Sequence, residues 1–105
     1  MKVANIKEYT NGWFIGDFDP SLLKTNSFEI AHHFYEKNFL GIHHTHKIAT
    51  EYNYIVSGKL IASDIELKSG DIFVYYPHEV SSVIFLEDTN LIIIKTPSIM
   101  DDKYI

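Results

Sequence analysis

Residues 41–51 carry a pattern of metal ligands. In a β-strand, residues two apart point to the same side, so the imidazoles of His44 and His46 can converge while His43 points away. After four more residues the chain reaches Glu51, which we expect to begin the neighbouring strand. Two imidazoles and one carboxylate on one wall leave open coordination positions, which suits Fe(II) and also Mn, Ni or Zn. The spacing makes His44, His46 and Glu51 candidate ligands of a divalent metal ion.

A solvent-exposed arrangement fits the same residues. Three histidines within four positions are also typical of a polar strand end at an open rim of a barrel. Glu51 would then make a hydrogen bond or a surface ion pair with Lys47. The spacing alone leaves both interpretations open, and it does not choose among the four metals.

Many short strands must position these residues. Segments rich in Ile, Val, Phe, Tyr and Thr alternate with turn signals such as Asn11-Gly12 and Ser57-Gly58. Only residues 20–24, which begin with Pro20, look helical, as one or two turns. We predict strands at residues 12–17, 28–35, 41–46, 51–56, 59–67, 71–75, 80–86 and 91–96. This alternation of apolar segments and turn signals indicates an all-β domain, an antiparallel β-barrel or sandwich.

Length and composition exclude several classes of protein. A chain of 105 residues with 46% hydrophobic and 14% aromatic residues has room for one core and no second domain. The formal net charge of −5 and the lack of a basic cluster argue against a nucleic-acid partner. The chain has no cysteine, which excludes disulfides and thiolate ligands. With no long apolar stretch we expect no membrane segment and a cytoplasmic location.

The same segment resembles a family signature. His-x-His, four residues, Glu51, six residues and Gly58 are similar to the first motif of the cupin superfamily, and residues 70–81 lie where its second motif belongs. The chain looks like short bacterial and phage cupins of the RmlC-like superfamily, a group that implies no named reaction. The resemblance implies a single jelly-roll cupin domain over residues 1–105, with an N-terminal strand and short helical turn in about residues 1–27 and a barrel core in about residues 28–98.

Two positions depart from the cupin pattern. Ser81 stands where the resemblance implies a fourth ligand, a histidine, and His78 replaces the glycine implied after Pro77. A hydroxyl is a poor ligand for a transition metal, so the ion would rest on three protein groups plus water or a neighbour. His32 is the candidate for that neighbour or for a proton carrier, because the apolar residues of its strand share its parity. The alternative for His32 is a hydrogen-bonded core histidine.

Other polar side chains are candidates for acid–base chemistry or for the wall of a pocket. Asn53 shares the parity of Glu51, and either faces the ligand or is a satisfied buried amide. The catalytic candidates are His32, Tyr54 and Tyr76. The pocket-lining candidates are Asn53, Ser81 and His78. The acidic pairs Glu87-Asp88 and Asp101-Asp102 look like solvated surface.

Three functions fit these residues. The first is a metal-dependent small-molecule enzyme of the oxygenase or isomerase type. The second, implied by the resemblance, is a metal-independent sugar isomerase or epimerase, which the lack of any arginine for a pyrophosphate disfavours. The third is a non-catalytic ligand-binding or sensory cupin. All three expect a small-molecule ligand, and outward aromatic residues on a short chain also predict a homodimer.

Overall fold

The computed structural model describes residues 1–105, and most of its regular secondary structure is antiparallel strand. Two single-turn 3₁₀ helices, at Ile6–Glu8 and Thr10–Gly12, precede the strands. The strands are β1 (Trp13–Ile15), β2 (Glu29–Tyr35), β3 (Thr50–Ser57), β4 (Lys59–Ala62), β5 (Ile65–Lys68), β6 (Ile72–Tyr75), β7 (Val83–Phe85) and β8 (Thr89–Thr96). The larger sheet has the order β1-β2-β8-β3-β6, and the smaller sheet has the order β5-β4-β7. Neither helix has the length or hydropathy of a membrane span.

The space between the two sheets is apolar at one end and charged at the other. Side chains alternate between the two faces of a strand, and the buried positions of β8 show which face is inward. The apolar end is the core cluster, formed by Ile55, Leu60, Ala62, Phe85, Leu91 and Ile93. At the other end, Glu29 of β2 and Glu51 of β3 flank Lys95 of β8 in the strand register. The inward row of charges marks the part of the interior where chemistry is to be sought.

The all-β prediction is confirmed, but the single strand predicted at residues 59–67 is wrong. The structure divides it into β4 and β5, joined by a two-residue turn at Ser63 and Asp64. Both turn residues have positive φ, 46° and 69°, which is the type I′ geometry that suits a tight hairpin. The turn contains no glycine, so the usual sequence signal for such a hairpin was missing.

The helical turn predicted at residues 20–24 is also wrong. This segment runs beside β1, where the N–H of Leu22 donates to the carbonyl of Phe14 at 2.8 Å. The N–H of Gly16 likewise donates to the carbonyl of Leu23 at 3.2 Å. A helix of five residues gains little from its own hydrogen bonds, so pairing with β1 satisfies the backbone better. The helical turns of this region lie earlier, in the two 3₁₀ helices before β1.

Gly58 forms the tight connection between β3 and β4. Its φ is +103°, and a Cβ at this position would collide with Oγ1 of Thr89 and the carbonyl of Asp88. Gly70 also has a positive φ, +92°, but a Cβ there would meet open space. Conformation and packing both require glycine at position 58, whereas conformation alone requires it at position 70.

We expect Gly58→Ala to lower the free energy of unfolding by about 3 kcal/mol and Gly70→Ala by about 1 kcal/mol. Left-handed backbone strain costs about 1–2 kcal/mol in either variant, and the collision at position 58 adds a further cost of about 1–3 kcal/mol. Urea unfolding followed by circular dichroism measures both losses. Equal losses in the two variants would contradict the packing role of Gly58.

Candidate metal centre

Two stretches of backbone bring the expected metal ligands together. Residues 41–46 are not the regular strand that the sequence predicts, but they pair with the chain before β7 at a bridge between His44 and Ser81. In that bridge the N–H of Ser81 donates to the carbonyl of His44 at 2.8 Å. Glu51 is the second residue of β3 and faces the interior. The ligand atoms of His44, His46 and Glu51 all lie within 4.8 Å of one another.

His46 offers an unused nitrogen to this group. Its Nδ1–H donates to the carbonyl of Asp102 at 2.8 Å, which places the proton on Nδ1 and leaves Nε2 with a lone pair. Nε2 is buried without a hydrogen-bond partner, 3.8 Å from Oε1 of Glu51. A buried polar atom without a partner is rare in folded proteins. A metal ion fits between the two atoms, because ligands bound at about 2.0–2.2 Å lie roughly 3–4 Å apart.

His46 is neutral at neutral pH. Burial lowers the pKa of its imidazole below the usual 6.5, and the positive charge of Lys95 lowers it further. The bond to Asp102 and the charge of Glu51 oppose this shift without cancelling it. The neutral imidazole is the form that binds a metal, so this histidine is ready to act as a ligand.

His44 has a similar arrangement. Its Nδ1–H donates to the carbonyl of Ile42 at 3.0 Å, so Nε2 again carries the lone pair. The rings of His44 and His46 meet edge to face with centroids 5.1 Å apart. His43 points away, as the strand periodicity predicts, and its Nε2 lies 3.2 Å from the hydroxyl of Ser82 at the surface. The pair expected to converge does so, and the third histidine takes no part.

Asp102 holds the loop that carries His46. The prediction of solvated surface is wrong for this residue, which is only 5% exposed. Its carboxylate accepts hydrogen bonds from the N–H groups of Lys47, Ile48 and Ala49, at 3.1, 3.1 and 2.8 Å. Burial raises the pKa of this carboxyl, but the three N–H groups outweigh burial and the pKa lies below its usual 3.8. The segment around Asp102 therefore positions a candidate metal ligand, which the local sequence gave no sign of.

The three residues open into a cavity of about 370 Å³ between the sheets. Its volume lies at the lower end of the range for small-ligand pockets, about 300–1,000 Å³. Half of the lining residues are hydrophobic, so the cavity suits a small organic molecule. The lining consists of Trp13, His33, Tyr35, Phe39, Gly41, Ile42, His44, His46, Glu51, Asn53, Phe73, Ser81, Val83, Phe85, Leu91, Ile93, Lys95 and Lys103.

Two of the three pocket-lining candidates face this cavity. Asn53 is buried, and its Nδ2 donates to Oε2 of Glu51 at 3.3 Å, so the amide orients the carboxylate. Ser81 lines the cavity beside His44. The prediction is wrong for His78, which is exposed at the surface and lies outside the lining. It follows Pro77 in a turn with φ of 73°, and this turn carries its side chain away.

His32 does not face the cavity, so the expectation that its face of β2 points inward is wrong. Its neighbour His33 lines the cavity, on the same face of β2 as the buried residues Glu29 and Ala31. The Nε2 of His32 bonds instead to Oδ1 of Asn90 on the outer face, at 2.9 Å. The apolar parity of β2 misled the prediction, because the outer face of this sheet is itself apolar: Phe34 is 52% exposed.

His33 is held on both sides. Its Nε2–H donates to the carbonyl of Asn11 at 2.9 Å, and its Nδ1 accepts from the hydroxyl of Tyr35 at 2.9 Å. Burial lowers the pKa of the His33 imidazole, which stays neutral. With both nitrogens engaged, His33 is a structural part of the wall rather than a free acid or base.

Neither tyrosine candidate faces the cavity. Tyr54 alternates with the inward residues of β3 and is 44% exposed on the outer face. Tyr76 follows the end of β6 and is 58% exposed. In this sequence the inward-facing and the outward-facing residues of a strand both include aromatic side chains. The residue pattern therefore does not show which set faces the cavity.

Sequence reasoning also missed Lys95. It follows the aliphatic run of β8 and shares the inward parity of Leu91 and Ile93, which was the one signal for it. Its ammonium lies 4.9 Å from the centroid of the Trp13 ring and 4.0 Å from Oε2 of Glu29. The cavity therefore contains a positive charge beside the expected metal ligands.

Comparisons with known proteins identify the fold. No family model matches the sequence, and no curated protein matches it. KdgF from Halomonas sp. is similar in structure, with a TM-score of 0.67 and 23% identity over 73% of this chain and 74% of KdgF. An RmlC-like cupin from Shewanella frigidimarina has a TM-score of 0.64 and 21% identity, over 72% of this chain and 71% of its own. The DMSP lyase DddQ from Ruegeria pomeroyi has a TM-score of 0.73 and 11% identity, over 89% of this chain and 49% of its own.

These likenesses, together with the two antiparallel sheets, define the class of the protein: it is a small domain with the cupin fold. The expected cupin resemblance and the all-β fold class are both confirmed. At such identities the likeness concerns fold and carries no activity with it.

Proposed function

We propose that this protein binds one divalent metal ion through His44, His46 and Glu51 and uses it on a small molecule in the cavity. The observation that carries the proposal is the buried Nε2 of His46, which has no partner and lies 3.8 Å from Glu51. An imidazole kept neutral and dry beside a carboxylate leaves its lone-pair nitrogen unsatisfied unless a cation joins the two groups.

The surrounding residues fit a metal-binding role. Hydrogen bonds to the carbonyls of Ile42 and Asp102 fix the proton of each histidine on Nδ1, which is a common way to orient histidine ligands. Asn53 orients the carboxylate of Glu51. A metal held by three protein groups would act as a Lewis acid or redox centre with open positions for a ligand, as oxygenases and isomerases of this type require. Two nitrogens and one oxygen suit Fe, Mn, Ni and Zn alike.

A non-catalytic ligand-binding role is the second candidate. His33 is the one imidazole of the cavity outside the metal set, and both of its nitrogens are engaged. Outside the proposed metal ligands, the cavity thus offers no free imidazole as a general acid or base. A metal-independent sugar isomerase or epimerase is disfavoured because its candidates His32, Tyr54 and Tyr76 lie outside the cavity, which leaves only the candidate His44 in the lining.

Metal analysis of protein purified without a tag or chelator tests the proposal. We expect about one divalent ion per chain after loading, and less than a tenth of that in the double variant His44→Ala/His46→Ala, because two of three ligands are lost. The matched control is His43→Ala/His78→Ala, which removes two exposed histidines from the same region. Equal metal content in the two double variants would contradict the site.

We also propose that two copies associate through the outer face of the larger sheet. Exposed apolar side chains cover this face, which is unusual for a monomer. They are Phe34, Tyr52, Tyr54, Val56 and Ile72. Light scattering should give twice the chain mass of 12.2 kDa for the wild type and the single mass for Tyr54→Glu. The control Tyr76→Glu, at an exposed site outside the strands, should stay dimeric, and a monomeric wild type would contradict the dimer.

A further inference from the structure

Lys95 is a charged feature of the cavity that the proposed metal site does not use. Its side chain is only 17% exposed, on the inward face of β8. The ammonium makes no hydrogen bond, and the one carboxylate oxygen within 4.0 Å is Oε2 of Glu29, at that distance. Lysine is almost never buried without a partner, and its ammonium has three donors. The three N–H groups of the ammonium are available to a ligand that supplies hydrogen-bond acceptors.

Glu29 makes no hydrogen bond to this ammonium. Burial raises the pKa of the Glu29 carboxyl, while the charge of Lys95, the N–H of Ile99 and the hydroxyl of Ser98 lower it in part. The nearest oxygen of Glu29 lies 4.0 Å from the ammonium, which is beyond hydrogen-bond distance. Lys95 therefore keeps much of its attraction for an anion in the cavity.

The interior carries less negative charge than the chain as a whole. Lys95 and Lys103 line the cavity together with Glu51, and Glu29 lies beside Lys95, so these four charges balance, whereas the whole chain carries a formal net charge of −5. A divalent ion on His44, His46 and Glu51 would make the wall positive. A positive concave surface on an acidic protein selects an anionic ligand.

We propose that the ligand of this cavity is a small organic acid whose carboxylate binds the ammonium of Lys95. The apolar part of the acid lies against the hydrophobic lining, such as Phe85 and Leu91. Lys95 and Glu51 are direct neighbours on adjacent strands, with Cα atoms about 5 Å apart. A hydroxyl or carbonyl oxygen next to the carboxylate therefore reaches the metal ligands, and this second contact rests on the proposed function.

The fluorescence of Trp13 provides a direct test for ligands at Lys95. It is the one tryptophan of the chain, and its ring lies 4.9 Å from the ammonium of Lys95, so its fluorescence reports on ligands that bind there. The probe is mandelate, which combines a carboxylate, an adjacent hydroxyl and an apolar ring. Its neutral amide, mandelamide, has nearly the same shape without the charge.

We expect metal-free wild-type protein to bind mandelate about tenfold more tightly than mandelamide, because the charged hydrogen bonds to Lys95 are lost with the amide. Lys95→Met should weaken mandelate binding by about ten- to a hundredfold, and Lys95→Arg should restore most of it. The surface control Lys68→Met should bind like the wild type. No binding of mandelate, equal affinities for acid and amide, or unchanged binding in a folded Lys95→Met protein would each overturn the proposal.

The acid and amide comparison needs no variant, so it holds even where Lys95→Met fails to fold. Repeating the titration with Ni²⁺ separates the two proposals. Preference for mandelate without any bound metal would support the acid site even where the metal proposal fails. Bound metal with equal affinities for acid and amide would support the metal site and overturn the acid site.

Discussion

Replacing Asp102 by asparagine is expected to lower the free energy of unfolding by about 3 kcal/mol and the melting temperature by about 10–20 °C. One carboxylate accepts three backbone hydrogen bonds, from Lys47, Ile48 and Ala49. An amide keeps one oxygen and turns an NH₂ group toward the remaining N–H donor, which loses a bond and adds a repulsive contact. Thermal unfolding followed by circular dichroism measures the loss.

The effect of this substitution depends on pH in a defined direction. The pKa of Asp102 is lower in the folded protein than its ordinary 3.8, so the folded state favours the ionised form. The carboxylate therefore stabilises the protein fully above the unfolded pKa, and this contribution disappears as the pH falls through the folded pKa. The difference in stability between wild type and Asp102→Asn should shrink over that acidic range.

Asp101→Asn is the matched control, because it makes the same chemical change at the exposed neighbouring residue. Asparagine also tolerates the φ of 60° at this position. We expect a change within about 0.5 kcal/mol. Equal destabilisation by the two substitutions would contradict the role assigned to Asp102.

Metal binding should stabilise the folded protein by a similar amount. Ni²⁺ at a concentration of about a hundred times its dissociation constant stabilises a folded protein by about 2.7 kcal/mol, which raises the melting temperature by roughly 10 °C or more in a small domain. We expect this shift in the wild type and its loss in His46→Ala, which removes the buried unpartnered nitrogen. Differential scanning calorimetry with and without the metal measures it.

The control for this experiment is His43→Ala, since His43 neighbours the site in sequence but bonds Ser82 at the surface. Its metal-dependent shift should equal that of the wild type. A shift that survives in His46→Ala, or that disappears in His43→Ala, would assign the stabilising metal to surface histidines instead.

The sequence was sufficient for the part of the site that lies within one short segment. The His-x-His spacing places His44 and His46 together because strand periodicity is local, and Glu51 follows after a short connection. The pattern of short strands and turn residues likewise led to the all-β fold. The cupin resemblance specified that fold further, and the structure bears it out.

The sequence did not show which face of β2 points inward. His32 and His33 differ by one residue, and a shift of one residue exchanges the two faces of a strand. Hydrophobic parity normally decides, but here Ile30 and Phe34 lie on the outer face and Glu29 lies inside. The inward face of the sheet carries charged residues at this end, so the usual rule for a hydrophobic core failed there.

Asp102 and Lys95 escaped the sequence analysis because their partners are distant along the chain. Asp102 bonds residues more than fifty positions earlier, and Lys95 meets Glu51 only through the pairing of β3 with β8. An acidic pair near a chain end and a lysine after an aliphatic run are ordinary surface patterns. Their roles depend on tertiary pairing.

A crystal structure of the Ni²⁺-loaded protein, with data collected at the nickel absorption edge, would show directly whether the metal ion binds in the cavity. We expect an anomalous peak inside the cavity, about 2.0–2.2 Å from Nε2 of His46 and bound also by His44 and Glu51. Lys95 should remain outside its coordination sphere. A peak at the surface on His43 or His78, with Nε2 of His46 still without a partner, would contradict the metal centre.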